Sequence, residues 1–267
     1  MNRMTEKDFT QKKYADLIEC LADHYPTFCV MDYSLAQRSQ SLPENYFIVR
    51  HDVDGNIRNA LDMAHIDARN GIRSTFYFRV KPLLFNPDII KQIRFLGHEI
   101  GYHYEVLSDT KGDMKKARLL FMANLKKVRS LAPVETVCMH GRSLSPHNNL
   151  DFWSQNGLEQ FDLIAEPYLT IDYSDKYYFS DTSHCWDNHK YNLRDIVNSR
   201  GSMGIKTTDE LIKFLRTADQ IKGAILTHSN FWVNSRLQWW GNRCLFYGLN
   251  QLKHFKKKRL ARENPEV

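Results

Sequence analysis

The chain has 267 residues, 42% hydrophobic and 25% charged, enough apolar material for one sizeable core of ordinary globular composition. No apolar run approaches the ~18 residues that a spanning helix needs, and the N-terminus MNRMTEKDFTQKKY lacks a signal-peptide apolar segment, so the expected location is the cytoplasm. The net charge of +6 is modest, and five scattered cysteines without a C-x-x-C pair point to free thiols rather than a disulfide framework.

Residues 6–24 place Phe9, Tyr14, Leu17, Ile18 and Leu21 at helical spacing, which predicts an amphipathic opening helix. PTFCVM reads as a short strand, and YFIV (46–49) as a buried one that runs into Arg50-His51-Asp52-Val53-Asp54. The segment 56–71 reads as a helix closed by Gly71, RSTFYFRV as a strand, and PDIIKQIRFLG as a helix. HEIGYHYEV is a strand, 111–133 a long helix stopped by Pro133, VETVCMH a strand, NNLDFWSQNG a short helix and FDLIAEP a strand. Beyond it the pattern weakens. KYYFSD looks extended, 207–219 helical, GAILTHSNF a strand, and 235–257 a final helix.

Strand–helix alternation of this kind predicts a parallel sheet with helical crossovers, here a distorted (β/α) barrel of about seven strands. One domain is expected over 1–267, with its barrel core at about 45–235 and the terminal helices as additions. No G-x-G-x-x-G or G-x-x-x-x-G-K-[ST] run is present, which argues against a nucleotide-binding open sheet. The C-terminal run KHFKKKRLAR lacks the interleaved aromatics of a single-strand nucleic-acid binder, so no nucleic-acid partner is expected. It suits a solvated helix end, or peripheral contact with phosphates or a membrane surface.

Chemistry in such barrels sits at the C-terminal strand ends. Here those ends carry Asp52 and Asp54, His103 and Glu105, His140, and His228. Side-chain alternation puts Arg50, Asp52 and Asp54 on one face and turns His51 away; it also groups Glu99, His103 and Glu105. His98 lies about 16 Å from His103 along an extended chain and cannot share its ligand. Carboxylate and imidazole together suit a divalent metal, Zn²⁺ first, with Co, Ni, Mn or Fe also compatible. Asp54, His103 and either His140 or Glu105 would supply three ligands. Asp52 could take a proton from the metal's water, His228 could protonate the leaving group, and Arg50 or Arg142 could hold Asp52 ionised. Asp181, Trp186 and Trp232, with Trp239 and Trp240, are candidates for lining a sugar pocket. HCWDNH (184–189) superficially suggests zinc, but no second ligand cluster accompanies it.

In chain order these residues resemble the NodB-homology polysaccharide deacetylases, the fourth family of carbohydrate esterases. RHDVDG is similar to that family's first motif, GIRSTFYF to its G-x-x-x-T-F-F strand, GHEIGYH to its second motif, CMHGRSLSP to the region of its third, and LTHSNFW to its closing Leu-x-His. The likeness runs over about 45–232. It implies Asp52 as base, Asp54 and His103 as metal ligands and His228 as acid. It further implies hydrolysis of an N-acyl group, or less expectedly an O-acyl group, acetyl above all, on a sugar or sugar derivative; with no signal peptide, the expected substrate is a cytoplasmic precursor such as a nucleotide- or lipid-linked glycan. HDVD together with GYHYE resembles a divergent branch of the family, one often associated with making surface polysaccharides. Two positions depart from the family: the second metal histidine is replaced by Leu107, and the third motif reads His140-Gly141-Arg142 where an arginine and prolines are usual.

Overall fold

The computed structural model describes residues 7–143, 145–187, 191–201 and 203–263, with side chains to 258. In chain order the elements are α1 (Gln11–His24), β1 (Thr27–Phe28), α2 (Val30–Arg38), β2 (Tyr46–Val53), α3 (Ile57–Arg69), β3 (Thr75–Phe78), α4 (Pro87–Phe95), β4 (Glu99–Tyr104) and α5 (Val106–Asp109). They continue with α6 (Met114–Arg129), β5 (Val137–Met139), two 3₁₀ turns, α7 (Pro167–Thr170), β6 (Tyr177–Ser180), α8 (Thr208–Thr217), β7 (Lys222–His228) and α9 (Arg236–Glu263).

Among the described residues seven strands form one sheet, six of them in the order β5-β4-β3-β2-β7-β6, every pair parallel, curled into a half-barrel. β1 pairs with the start of β2, at Phe47 and Ile48. All eight residues of β2 are buried, because both sheet faces are covered. Outward, Phe47, Val49 and Val53 pack with Tyr14, Leu17 and Leu21 of α1 and with Ala60 and Met63 of α3. Inward, Tyr46 and Ile48 join Tyr77, Cys138, Tyr178 and Leu226 in a smaller core inside the curl.

Most predicted helices begin at a side-chain cap that satisfies an orphan backbone N–H. Thr10 caps α1, Asn86 caps α4 with Pro87 at its first position, Asp113 caps α6, and Thr207 with Glu210 forms a capping box on α8. Two expectations change. PTFCVM supplies only Thr27 and Phe28 as strand; the chain then turns helical, with the Cys29 sulfur accepting from the Asp32 N–H. FDLIAEP contributes a single parallel bridge, Thr136 to Ala165, rather than a strand. Asp162 there adopts a left-handed φ of 53°. Glu166 then caps the short α7, whose first residue, Pro167, has no N–H for a ladder.

Candidate metal centre and cleft

β2 passes between β3 and β7, and its register sets Asp52 beside Tyr77 on one side and His228 on the other. Asp54 follows immediately, where the ladder has ended and Asn56 turns the chain into α3 through a φ of 43°. His103 comes up on β4, His140 just past β5, and His228 at the end of β7. Parallel strands bring all their C-terminal ends to one rim, so residues far apart in sequence meet there.

Asp54 Oδ1 lies 3.3 Å from His103 Nε2 and 3.5 Å from His140 Nε2. The outer nitrogens of both rings are occupied. His103 Nδ1 is 2.9 Å from the Cys138 carbonyl, which can only accept, so Nδ1 carries the hydrogen and Nε2 presents a lone pair. His140 Nδ1 lies 3.2 Å from Glu105 Oε2, which fixes the same tautomer in the neutral ring. Glu105 is in turn held by Arg79 Nη2 at 2.7 Å and Lys81 at 3.4 Å. Burial alone would raise its pKa, but His140 and Arg79 outweigh it and hold Glu105 well below the usual carboxylate range. Glu105 therefore stands behind His140 and is absent from the ligand triad.

The ligand atoms of Asp54, His103 and His140 all lie within 4.8 Å of one another, and the buried Asp54 Oδ1 reaches no hydrogen-bond partner. An oxygen and two imidazole nitrogens converging in this way, with their outer hydrogens already donated, fit a divalent ion. A second group, Asp52, His103 and Cys138, shares one histidine. It fits less well, because Arg50 Nη1 donates to the Cys138 sulfur at 2.8 Å and burial pushes that thiol's pKa up, away from the thiolate a metal requires. Against burial, which would raise it, the paired imidazoles hold the Asp54 carboxyl well below its ordinary range. His140 is pushed up to about 9, because Asp54 and Glu105 outweigh the effect of its burial.

Asp52 sits beside the triad, its Oδ2 3.6 Å from His103 Nε2 and its Oδ1 3.5 Å from Arg50 Nη1, with no hydrogen bond to Oδ1. Arg50 Nη2 donates to the hydroxyls of Tyr168 and Tyr178 at 2.9 Å each, and both hydroxyls donate onward to Asp195 Oδ1 at 2.8 and 2.5 Å. This buried chain fixes the guanidinium under Asp52. Arg142, the other candidate for that place, lies half-exposed and turns to Asp109 at 3.3 Å. Across the cleft, His228 Nδ1 meets Asp181 Oδ1 at 2.6 Å, so Nε2 faces inward, 3.9 Å from Asp54 Oδ2. The His228 backbone N–H and the Trp232 indole also donate to Asp181, at 3.0 and 2.8 Å. Burial would lower the His228 pKa, yet Asp181, Asp54 and Asp52 raise it to about 9.

These residues surround a cleft of about 400 Å³, whose walls include Met139, Leu226, Phe231 and Phe246 and whose mouth holds Arg194 and Lys253. Three residues expected to line it lie behind it. Asp181 is the fully buried partner of His228; Trp232 is the buried donor to Asp181; Trp186 stacks with Phe9 and donates to Thr208. Trp239 is buried and Trp240 exposed, neither on the cleft. His51 points outward, its ring between Asp67 (2.8 Å) and Thr227 (2.6 Å), tying the sheet to α3. In HCWDNH, His184 packs against Phe9 and Phe231, Cys185 donates to the Asp187 carbonyl, and His189 lies outside the described residues.

Asp195, Arg79, Tyr168 and Lys253 were not singled out from sequence. Asp195 lies in a stretch between β6 and α8 with no regular period, so nothing local marks it. Arg79 had a signal, a lone cation at the end of RSTFYFRV at the same rim. A scan against protein-family models and a search of curated proteins each returned no match.

Proposed function

We propose that the chain is a metal-dependent hydrolase that removes an N-acyl group, acetyl the foremost candidate, from a sugar or glycan precursor. One observation carries this reading: a carboxylate beside a metal-competent triad faces a histidine–carboxylate pair across a single cleft. The ordered likeness to the polysaccharide deacetylase motifs gives the sugar N-acyl substrate class.

Asp54, His103 and His140 would hold the ion. A divalent ion there supplies Lewis-acid polarisation of the acyl carbonyl and a water acidic enough to attack at neutral pH. Asp52 is positioned to accept that water's proton, because its Oδ2 faces the triad, 3.6 Å from His103 Nε2. Arg50 Nη1 lies on the other side of Asp52, 3.5 Å from Oδ1. As the water oxygen bonds to the acyl carbon, the C–N bond breaks and the amine nitrogen needs a proton. His228 Nε2 is positioned to give it, because Asp181 keeps the ring charged and orients it. The products are a free carboxylic acid and an amino sugar; Asp52 then loses its proton to solvent and His228 regains one from it.

The test has three arms. Protein purified without chelator is assayed for bound metal by elemental analysis, with His103→Ala expected to lose it. Acetate release is then measured from N-acetylated sugar nucleotides, and ring opening from cyclic ureides. Asp52→Asn should keep the metal and lose at least about 10²-fold in turnover. A protein without metal, unchanged by His103→Ala, refutes the reading. Metal without acetate release points to a binding barrel, and turnover of ureides alone to a hydrolase of non-sugar C–N bonds.

A further inference from the structure

Helix α9 closes one side of the cleft, and among the described residues its far side is left exposed. On the inner side, Phe246, Leu249 and Lys253 line the cleft, and Trp239 and Asn250 are buried. The outer side carries more exposed large apolar side chains than any other element described. Leu237 is 84% exposed, Tyr247 70% and Phe255 67%, with Trp240, Leu245 and Leu252 each more than half exposed. At 3.6 residues per turn these six fall within an arc of about 160°, a continuous stripe along about 27 Å of helix. A stripe of that size is rare on a face that meets only water.

Charge says what covers it. Residues 236–258 hold six Lys or Arg and no Asp or Glu. Arg236 and Arg243 border the stripe on one side, Lys256 on the other, and Lys258 extends it at the C-terminal end. Two copies of α9 set face to face would oppose like charges along their length. An anionic lipid surface complements both features, taking the aromatic and aliphatic stripe at the acyl boundary and the cations among the headgroups. The helix cannot cross the bilayer, since among the described residues none is long and apolar enough to do so. We infer that α9 is an interfacial docking helix that lays its outer face on an anionic membrane. The cleft then lies within one helix diameter, roughly 10 Å, of the headgroups. This inference is independent of the chemistry proposed for the cleft.

The full chain is mixed with vesicles of phosphatidylcholine alone, and with vesicles containing about 30% phosphatidylglycerol, and bound protein is separated by sedimentation. Binding is expected to the anionic vesicles only, and to weaken as salt rises toward 0.5 M. The double variant Leu252→Glu/Phe255→Glu alters exposed side chains alone, so its circular dichroism should match the wild type while vesicle binding falls at least about tenfold. Wild-type protein that ignores anionic vesicles, or a double variant that binds them as well as wild type, overturns the proposal. So does a wild-type dimer that the double variant converts to monomer without any lipid binding, which would make the stripe a self-association face.

Discussion

His140 offers Nε2 to the cleft because Glu105 occupies its Nδ1 and Arg79 anchors Glu105. Alternation along β4 grouped Glu105 with His103, but Glu105 lies beyond the last ladder residue, Tyr104, where the backbone already turns into α5. The carboxylate swings behind the neighbouring imidazole. Glu105→Gln is therefore expected to leave the triad intact and weaken metal affinity about 10–100-fold, read by equilibrium dialysis. His140→Ala should abolish stoichiometric binding. At the opposite wall, Asp181→Asn removes the charge that lifts His228, so the His228 pKa should fall from about 9 toward the ordinary imidazole value. If His228 is the acid of the proposed hydrolysis, the alkaline limb of the rate–pH profile would move down with it. A ring-proton NMR titration reads the same shift directly, and an unmoved pKa would remove Asp181 from this role.

At the scale of single elements, β4 shows why GHEIGYH takes glycine at its centre. Gly101 lies on the inner face between Glu99 and His103, and a Cβ there would sit 2.3 Å from two Tyr77 ring carbons. Tyr77 is fully buried and hydrogen-bonded to Thr136, so it has little room to retreat. Gly101→Ala should destabilise the fold by about 1–3 kcal/mol through overpacking, measured by urea unfolding. Capped helices such as α4 and α8 were legible in sequence, since cap, period and stop signal agree locally. The stretch 161–167 was not. Its apolar run looks like a strand, but Pro167 and the Glu166 cap commit the chain to a helix instead. Helix α2 was missed for the converse reason, a β-branched start next to a real strand.

For the whole molecule, two imidazoles raised to about 9, His228 buried and His140 partly so, link stability to pH. In the unfolded chain they titrate near 6.5. Folding therefore favours their charged forms, and this stabilisation is complete below about pH 6.5 and lost as pH rises through about 9. Metal-free protein should show a melting temperature that falls by several degrees between pH 6.5 and 9. Metal binding must displace the His140 proton, so apparent metal affinity should rise over the same range. A flat melting temperature in metal-free protein would mean that neither histidine is charged in the fold.

From the sequence alone came the parallel α/β architecture, the rim position of Asp52, Asp54, His103 and His228, and the outward turn of His51. Those follow from period, alternation and strand ends, which are properties of a short stretch of chain. Tertiary structure alone decided that His140 completes the triad, that Arg50 rather than Arg142 supports Asp52, and that Asp181 and Trp232 serve His228 from behind. Each of these is a contact between elements distant in sequence, set by how the sheet curls and which loop crosses its rim, and no local pattern encodes that distance.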